Sequence, residues 1–144
     1  MIAALALAAT LNTLPPATGL RGTWAGPVLN CYSGQCMPGI SWFRVDKSGR
    51  YHGWTLGKKP GQDCLSYDHN GWTGQLYRLG PNSAYALNDG AAAGYVIQIS
   101  RDRQTASSTY LGPEAGVIES NHYYRDPGFQ PRLLLNLAAD ALCR

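Results

Sequence analysis

Ile40-Ser-Trp-Phe-Arg-Val45, then Asp46-Lys-Ser-Gly49, then Arg50-Tyr-His-Gly-Trp-Thr-Leu56 is the stretch on which the reading of this chain turns. Two short runs rich in aromatic and β-branched residues flank four residues of turn chemistry, the pattern of a β-hairpin. The same alternation continues outward on both sides. Gly22-Thr-Trp-Ala-Gly26 opens an earlier strand. After the hairpin come Cys64-Leu-Ser-Tyr67, the turn Asp68-His-Asn-Gly71 and a run over 72–79. Further runs cover 83–87, 94–100, 105–111 and 117–125, separated by Gly, Pro, Asn and Asp.

Eight or nine consecutive short strands in one small unit remove their exposed edges most simply by closing. The fold class is therefore all-β, a single antiparallel eight- or nine-stranded up-and-down barrel with a C-terminal helix; a two-sheet sandwich is the alternative. At 144 residues there is room for one domain. Seventeen Gly and nine Pro beside nine Tyr and four Trp, with 15% charged residues, give the composition of a turn-rich β protein.

Residues 19–127 form the barrel unit in this reading. After Asp126-Pro-Gly128 the character changes, and 128–144 read as a helix packed on the barrel. Leu134, Leu135, Leu137, Ala138 and Leu142 give it an apolar face. Residues 1–18 are an uncharged Ala/Leu-rich segment broken by Pro15-Pro16, which reads as a signal peptide or an N-terminal apolar helix. It lacks a leading Lys or Arg and is shorter than the ~20 residues of a membrane span, so no transmembrane span is expected in the mature protein.

Four cysteines fit a secreted or periplasmic location. Cys31 and Cys36 bracket a short Gly-containing loop and are expected to pair. That leaves Cys64 for Cys143, which the terminal helix can bring back. Such a long closed loop is worth ~4–5 kcal/mol in the chain-entropy model. No metal is expected, because four residues separate the nearest cysteines and no His lies at ligand spacing. Lys and Arg are spread along the chain and the net charge is only +3, so nucleic acid is not an expected partner.

Gly22-Thr-Trp24 at the start of the first strand, Arg125 at the end of the last and a helix tied back by a cysteine together resemble the calycin superfamily, lipocalins in particular. The resemblance implies a closed barrel in which Trp24 shuts one end beneath the Arg125 guanidinium, a contact of ~1 kcal/mol. The Cys-x4-Cys element instead looks like small secreted bacterial barrels. Avidins share Gly-Thr-Trp but not this cysteine layout. A shared fold implies no particular ligand.

Trp42, Trp54 and Trp72, with Tyr51, Tyr77, Tyr95 and Tyr124, are the candidate ligand-binding residues, expected to line an apolar interior; the competing reading is a filled core. Two-residue periodicity places His52 on the face of Trp54 and His122 on the face of Tyr124. They are thus the only candidate catalytic residues, as acid or base. No cofactor motif is present. The first functional reading is an exported barrel holding a small, mostly apolar ligand. The second is a protein-interaction module, an inhibitor of a secreted enzyme or an envelope component, using the segments 30–39 and 57–63. The third is a cofactor-free isomerase or cyclase.

Overall fold

The turn that decided the sequence reading also fixes the first register. The Asp46 carboxylate accepts hydrogen bonds from the Ser48 N–H at 2.8 Å, the Ser48 hydroxyl at 2.6 Å and the Arg50 N–H at 3.1 Å. Gly49 supplies the left-handed step with φ 81°. These donors, Ser48 foremost, hold the Asp46 carboxyl below the usual carboxylate range. Val45 therefore faces Tyr51, and the ladder continues as Phe43↔Gly53 and Trp42↔Trp54.

The computed structural model describes residues 14–17, 19–32, 34–112 and 120–144. Among them are nine strands: β1 Gly22–Tyr32, β2 Gln35–Val45, β3 Arg50–Gly57, β4 Ser66–Tyr67, β5 Trp72–Gly80, β6 Ser83–Asn88, β7 Tyr95–Ile99, β8 Thr105–Tyr110 and β9 Ser120–Arg125. All pairings between strands are antiparallel, and the sequence of neighbours runs β1-β2-β3-β5-β6-β7-β8-β9 and back to β1. The result is a closed eight-stranded up-and-down barrel, with β4 as an extra strand on β3. The expected first and second strands prove longer than their apolar cores. They run on into a hairpin in which Cys31 faces Cys36, so 30–39 is largely ladder rather than loop. Residues 117–119 of the expected last strand lie outside the described residues.

One end of the barrel is plugged. Leu20 and Trp24 are fully buried there, with Leu76 and Ala17 beside them. The Trp24 indole N–H donates to the Leu20 carbonyl at 2.7 Å. Above the indole lies the Arg125 guanidinium, 4.5 Å from the ring centroid. Its nitrogens donate to the carbonyls of Gly19, Arg21 and Arg103. Pro15–Ala17, which the sequence reading gave to the N-terminal segment, already pair with β5: Arg78 N–H donates to the Pro15 carbonyl and Ala17 N–H to that of Leu76. The rest of that segment, 1–13, lies outside the described residues.

Both cysteine pairs form as expected, Cys31–Cys36 and Cys64–Cys143. The second bridge holds the C-terminus against the segment before β4, where Leu65 and Leu142 form a parallel bridge. Helix α1, Pro131–Leu137, and the 3-10 turn Ala139–Ala141 lie between. The helix is shorter than the expected span, because the turn at 139–141 tightens its last residues. Leu134, Ala138 and Leu142 pack on the outer wall as the periodicity foretold, with Phe129 beside them. Leu137, expected on the same face, is exposed. Among the described residues no helix is long and apolar enough to cross a membrane.

Truncating Trp24 to Ala should lower stability by about 3–5 kcal/mol, a fall of roughly 10 °C in the melting temperature. Arg125→Ala should cost less, since the indole stays covered by the plug. Melting curves followed by circular dichroism decide it, and a Trp24→Ala protein that melts like wild type would contradict this account of the closed end.

Candidate functional site

Strand alternation divides the hairpin residues between two environments. Trp24, Phe43, Tyr51 and Leu76 point inward and belong to the core. Residues of the opposite parity, Ala25 and Trp42 beside the first two and Leu56 further along β3, point outward into a second cluster beneath the helix. The inward set does not fill the barrel. A cavity of about 510 Å³ lies inside, reaching Phe43 and Leu76 in its depths and opening at the end opposite Trp24.

Small side chains on β6 and β8 leave part of the space: Ala86 and Ser108 are buried and line the cavity. Rings from β3 and β5 come next to them: Tyr51 meets Trp72 edge to face at 5.6 Å. The Trp72 ring lies directly over Gly53, where a Cβ would fall 2.1 Å from its nearest ring carbon. Glycine is thus required by the close approach of the indole. The Tyr51 hydroxyl donates to Asn88 Oδ1 at 2.6 Å. Burial first, and the charge of Asp89 second, push its phenol well above the ordinary value, so it remains a neutral donor. Outside the wall, Arg50 clamps the Asp89 carboxylate at 2.6 and 2.8 Å, and Thr73 adds a third bond. Three strands are tied together at this level.

The opening arises because β3 and β5 part company. They pair only from Arg50↔Gln75 to Gly53↔Trp72; beyond that, β4 takes over the edge of β3 through Leu56↔Tyr67 and Gly57↔Ser66. Ser66–Asp68, Gly71 and the pair Lys58 and Lys59 consequently line the mouth. One polar atom of the lining is conspicuous. The Ser108 hydroxyl, on a residue only 5% exposed, has no hydrogen-bond partner among the described residues. Ser41, by contrast, donates to the Trp54 carbonyl and accepts from Thr55.

Of the residues expected to line the interior, Trp72, Tyr51 and Tyr95 do so. Trp42 and Trp54 do not, and their interior placement is corrected: Trp42 is 1% exposed but buried against Phe129, Tyr67 and Trp54 on the outer wall. The helix makes that wall apolar, so apolar character could not tell inside from outside. Tyr77 and Tyr124 also lie off the cavity, Tyr124 being 55% exposed. His52 does share the face of Trp54, as periodicity required, but that face is outward. Its ring stacks on Trp54 at 4.0 Å and its Nε2–H donates to the Asn70 carbonyl at 2.7 Å. His122 is exposed and borders a separate surface hollow with Tyr124. Neither histidine lines the cavity. Phe43, Ile97, Ser108 and the two mouth lysines were not anticipated. The hairpin register could have found Phe43, since it makes Phe43 and Trp42 alternate and only one can join Trp24 inside.

Among the described residues no group of three His, Cys, Asp or Glu side chains is placed to hold a metal. Comparison with family profiles, with curated proteins and with solved structures gave no match.

Gly53→Ala should displace the Trp72 ring. The expected outcome is a loss of about 1–3 kcal/mol in stability together with a shifted tryptophan emission maximum. Denaturant unfolding followed by fluorescence checks both, and unchanged values would show that the indole does not rest on Gly53.

Proposed function

We propose that this protein is an exported, lipocalin-like barrel that holds a small, mostly apolar ligand in its interior. The observation that carries the reading is the cavity: about 510 Å³, closed at the Trp24 end and open at the other. That volume falls within the range of small-molecule sites, which are apolar pockets with few polar groups. The lining has this character. Phe43, Trp72, Leu76 and Ile97 provide apolar contact, while Ser108 and the Tyr51–Asn88 pair provide polar points.

Two disulfides and the apolar N-terminal sequence support an oxidising, extracytoplasmic location. The closed eight-stranded barrel, with Arg125 over Trp24, supports the lipocalin-like assignment. The protein-interaction reading supposed a solid barrel with contacts made by 30–39 and 57–63; the braced Cys31–Cys36 hairpin suits it, but the cavity does not. The isomerase or cyclase reading relied on His52 and His122, which lie outside the cavity.

Titration with the neutral fluorophore N-phenyl-1-naphthylamine tests the proposal. Saturable one-to-one binding is expected, and Ala86→Trp, which fills the cavity from β6, should abolish it while the barrel still folds by circular dichroism. Should that variant misfold, Ser108→Leu serves the same purpose from β8. Absence of saturable binding to wild type, or undiminished binding to a folded filled variant, would refute the reading.

A further inference from the structure

Cations that are scattered along the sequence are gathered in space by the up-and-down topology. The segment before β1, the ends of β5 and β9 and the turns after β2 and β7 all lie at the end of the barrel that Trp24 closes. They carry Arg21, Lys47, Arg78, Arg101, Arg103 and Arg125, half of the chain's twelve lysines and arginines. All but Arg125, which lies over the Trp24 indole, are exposed. The Arg103 side chain crosses the plug at Gly19, where a Cβ would meet its guanidinium, and Arg125 bonds the carbonyl of the same glycine. Three carboxylates share this end, each engaged in its own turn. Asp46 accepts the Ser48 N–H and hydroxyl, Asp102 the Ser100 hydroxyl at 2.7 Å and the Gln104 N–H at 3.1 Å, and Asp126 the Gly128 N–H at 3.2 Å. Among the described residues none of the three forms an ion pair with the six cations, while Arg50, at the start of β3, is held by Asp89. Six cations against three anions leave an excess equal to the net charge of +3 of the whole chain.

Apolar side chains stand among these charges. Leu79, next to Arg78, is 48% exposed, and Pro15, Pro16 and Pro81 are exposed on the same rim. Residues 1–13, which lead into this rim, are uncharged and rich in Ala and Leu. A basic face interleaved with apolar groups suits the head-group boundary of a bilayer, where cations meet phosphates and apolar side chains enter between them. A sulfated polysaccharide or a nucleic acid offers the charge without the acyl phase that Leu79 calls for. We infer that the closed end of the barrel docks on an anionic lipid surface. Docked this way, the barrel turns its mouth away from the bilayer, whatever the cavity holds.

Sedimentation of the full chain with lipid vesicles at low ionic strength tests this. Binding to mixed phosphatidylglycerol and phosphatidylcholine should be at least about tenfold tighter than to phosphatidylcholine alone. It should be lost in about 1 M salt, where the Debye length is about 3 Å. Lys47→Gln and Arg101→Gln, each in an exposed turn, should weaken binding about fivefold singly and about thirtyfold together, with the fold unchanged by circular dichroism. Lys47→Arg/Arg101→Lys should bind like wild type. Arg144→Gln removes one charge beside the mouth, next to the Cys143 that lines it, and should change binding by less than about twofold. Leu79→Gln should weaken vesicle binding about fivefold while leaving retention on heparin unchanged. No binding to the anionic vesicles, equal binding to both compositions, or as large a loss in Arg144→Gln as in Arg101→Gln would overturn the inference. Tighter binding to heparin or duplex DNA than to the anionic vesicles would also overturn it, and would assign the basic end to a different polyanion.

Discussion

The barrel depends on how its first and last strands are joined. Among the described residues β1 and β9 share two paired positions, Trp24↔Arg125 and Ala25↔Tyr124, the shortest ladder within the closed ring of eight strands. Arg125 strengthens it from above. One side chain covers the Trp24 indole and reaches carbonyls at Gly19, Arg21 and Arg103. These acceptors come from the segment before β1 and from the turn before β8. Guanidinium geometry suits this role, because its donors diverge in one plane. With the seam held and Leu20 driven beneath the indole, the barrel has a floor. A cavity open at both ends would be a channel; the floor makes it a pocket.

The parts of this architecture set by local chemistry were legible in the sequence. Asp46-Lys-Ser-Gly49 defined a turn because its carboxylate and its glycine each do what only those residue types do cheaply, and the flanking strands followed. The number of strands and the disulfide pairs could be read for the same reason. What could not be read was the side of the wall on which each tryptophan lies. Alternation separates Trp42 from Phe43, but it does not name the inner face. In most small barrels the polar face is the outer one; here the terminal helix covers the outside of β2 and β3 and makes both faces apolar. Trp54, stacked on Trp42, was misplaced with it. The cavity was hidden for a different reason. It owes part of its space to what is missing, the small side chains of Ala86 and Ser108, and their shared location emerges only once β6 and β8 are placed in the same wall.

Divergence of two neighbouring strands gives the pocket its entrance. β3 leaves β5 after Gly53↔Trp72, and the two-residue β4 satisfies the freed edge of β3 without closing the gap. The turn Asp68–Gly71 is held at the rim both by the β4 ladder and by side chains of β3, His52 donating to the Asn70 carbonyl and the Trp54 indole to that of His69.

The spacing of the cysteines bears on how the chain reaches this state. Four thiols admit three pairings. Cys31 and Cys36 face each other across a hairpin whose strands are adjacent in sequence, so they meet as soon as that hairpin forms. Cys64 must wait for Cys143, a separation of 79 residues. As the chain is synthesised, the local bridge consumes both competitors for Cys64 before its true partner has emerged. The long bridge then has one remaining choice, and the order in which the thiols appear enforces the pairing that the finished barrel requires.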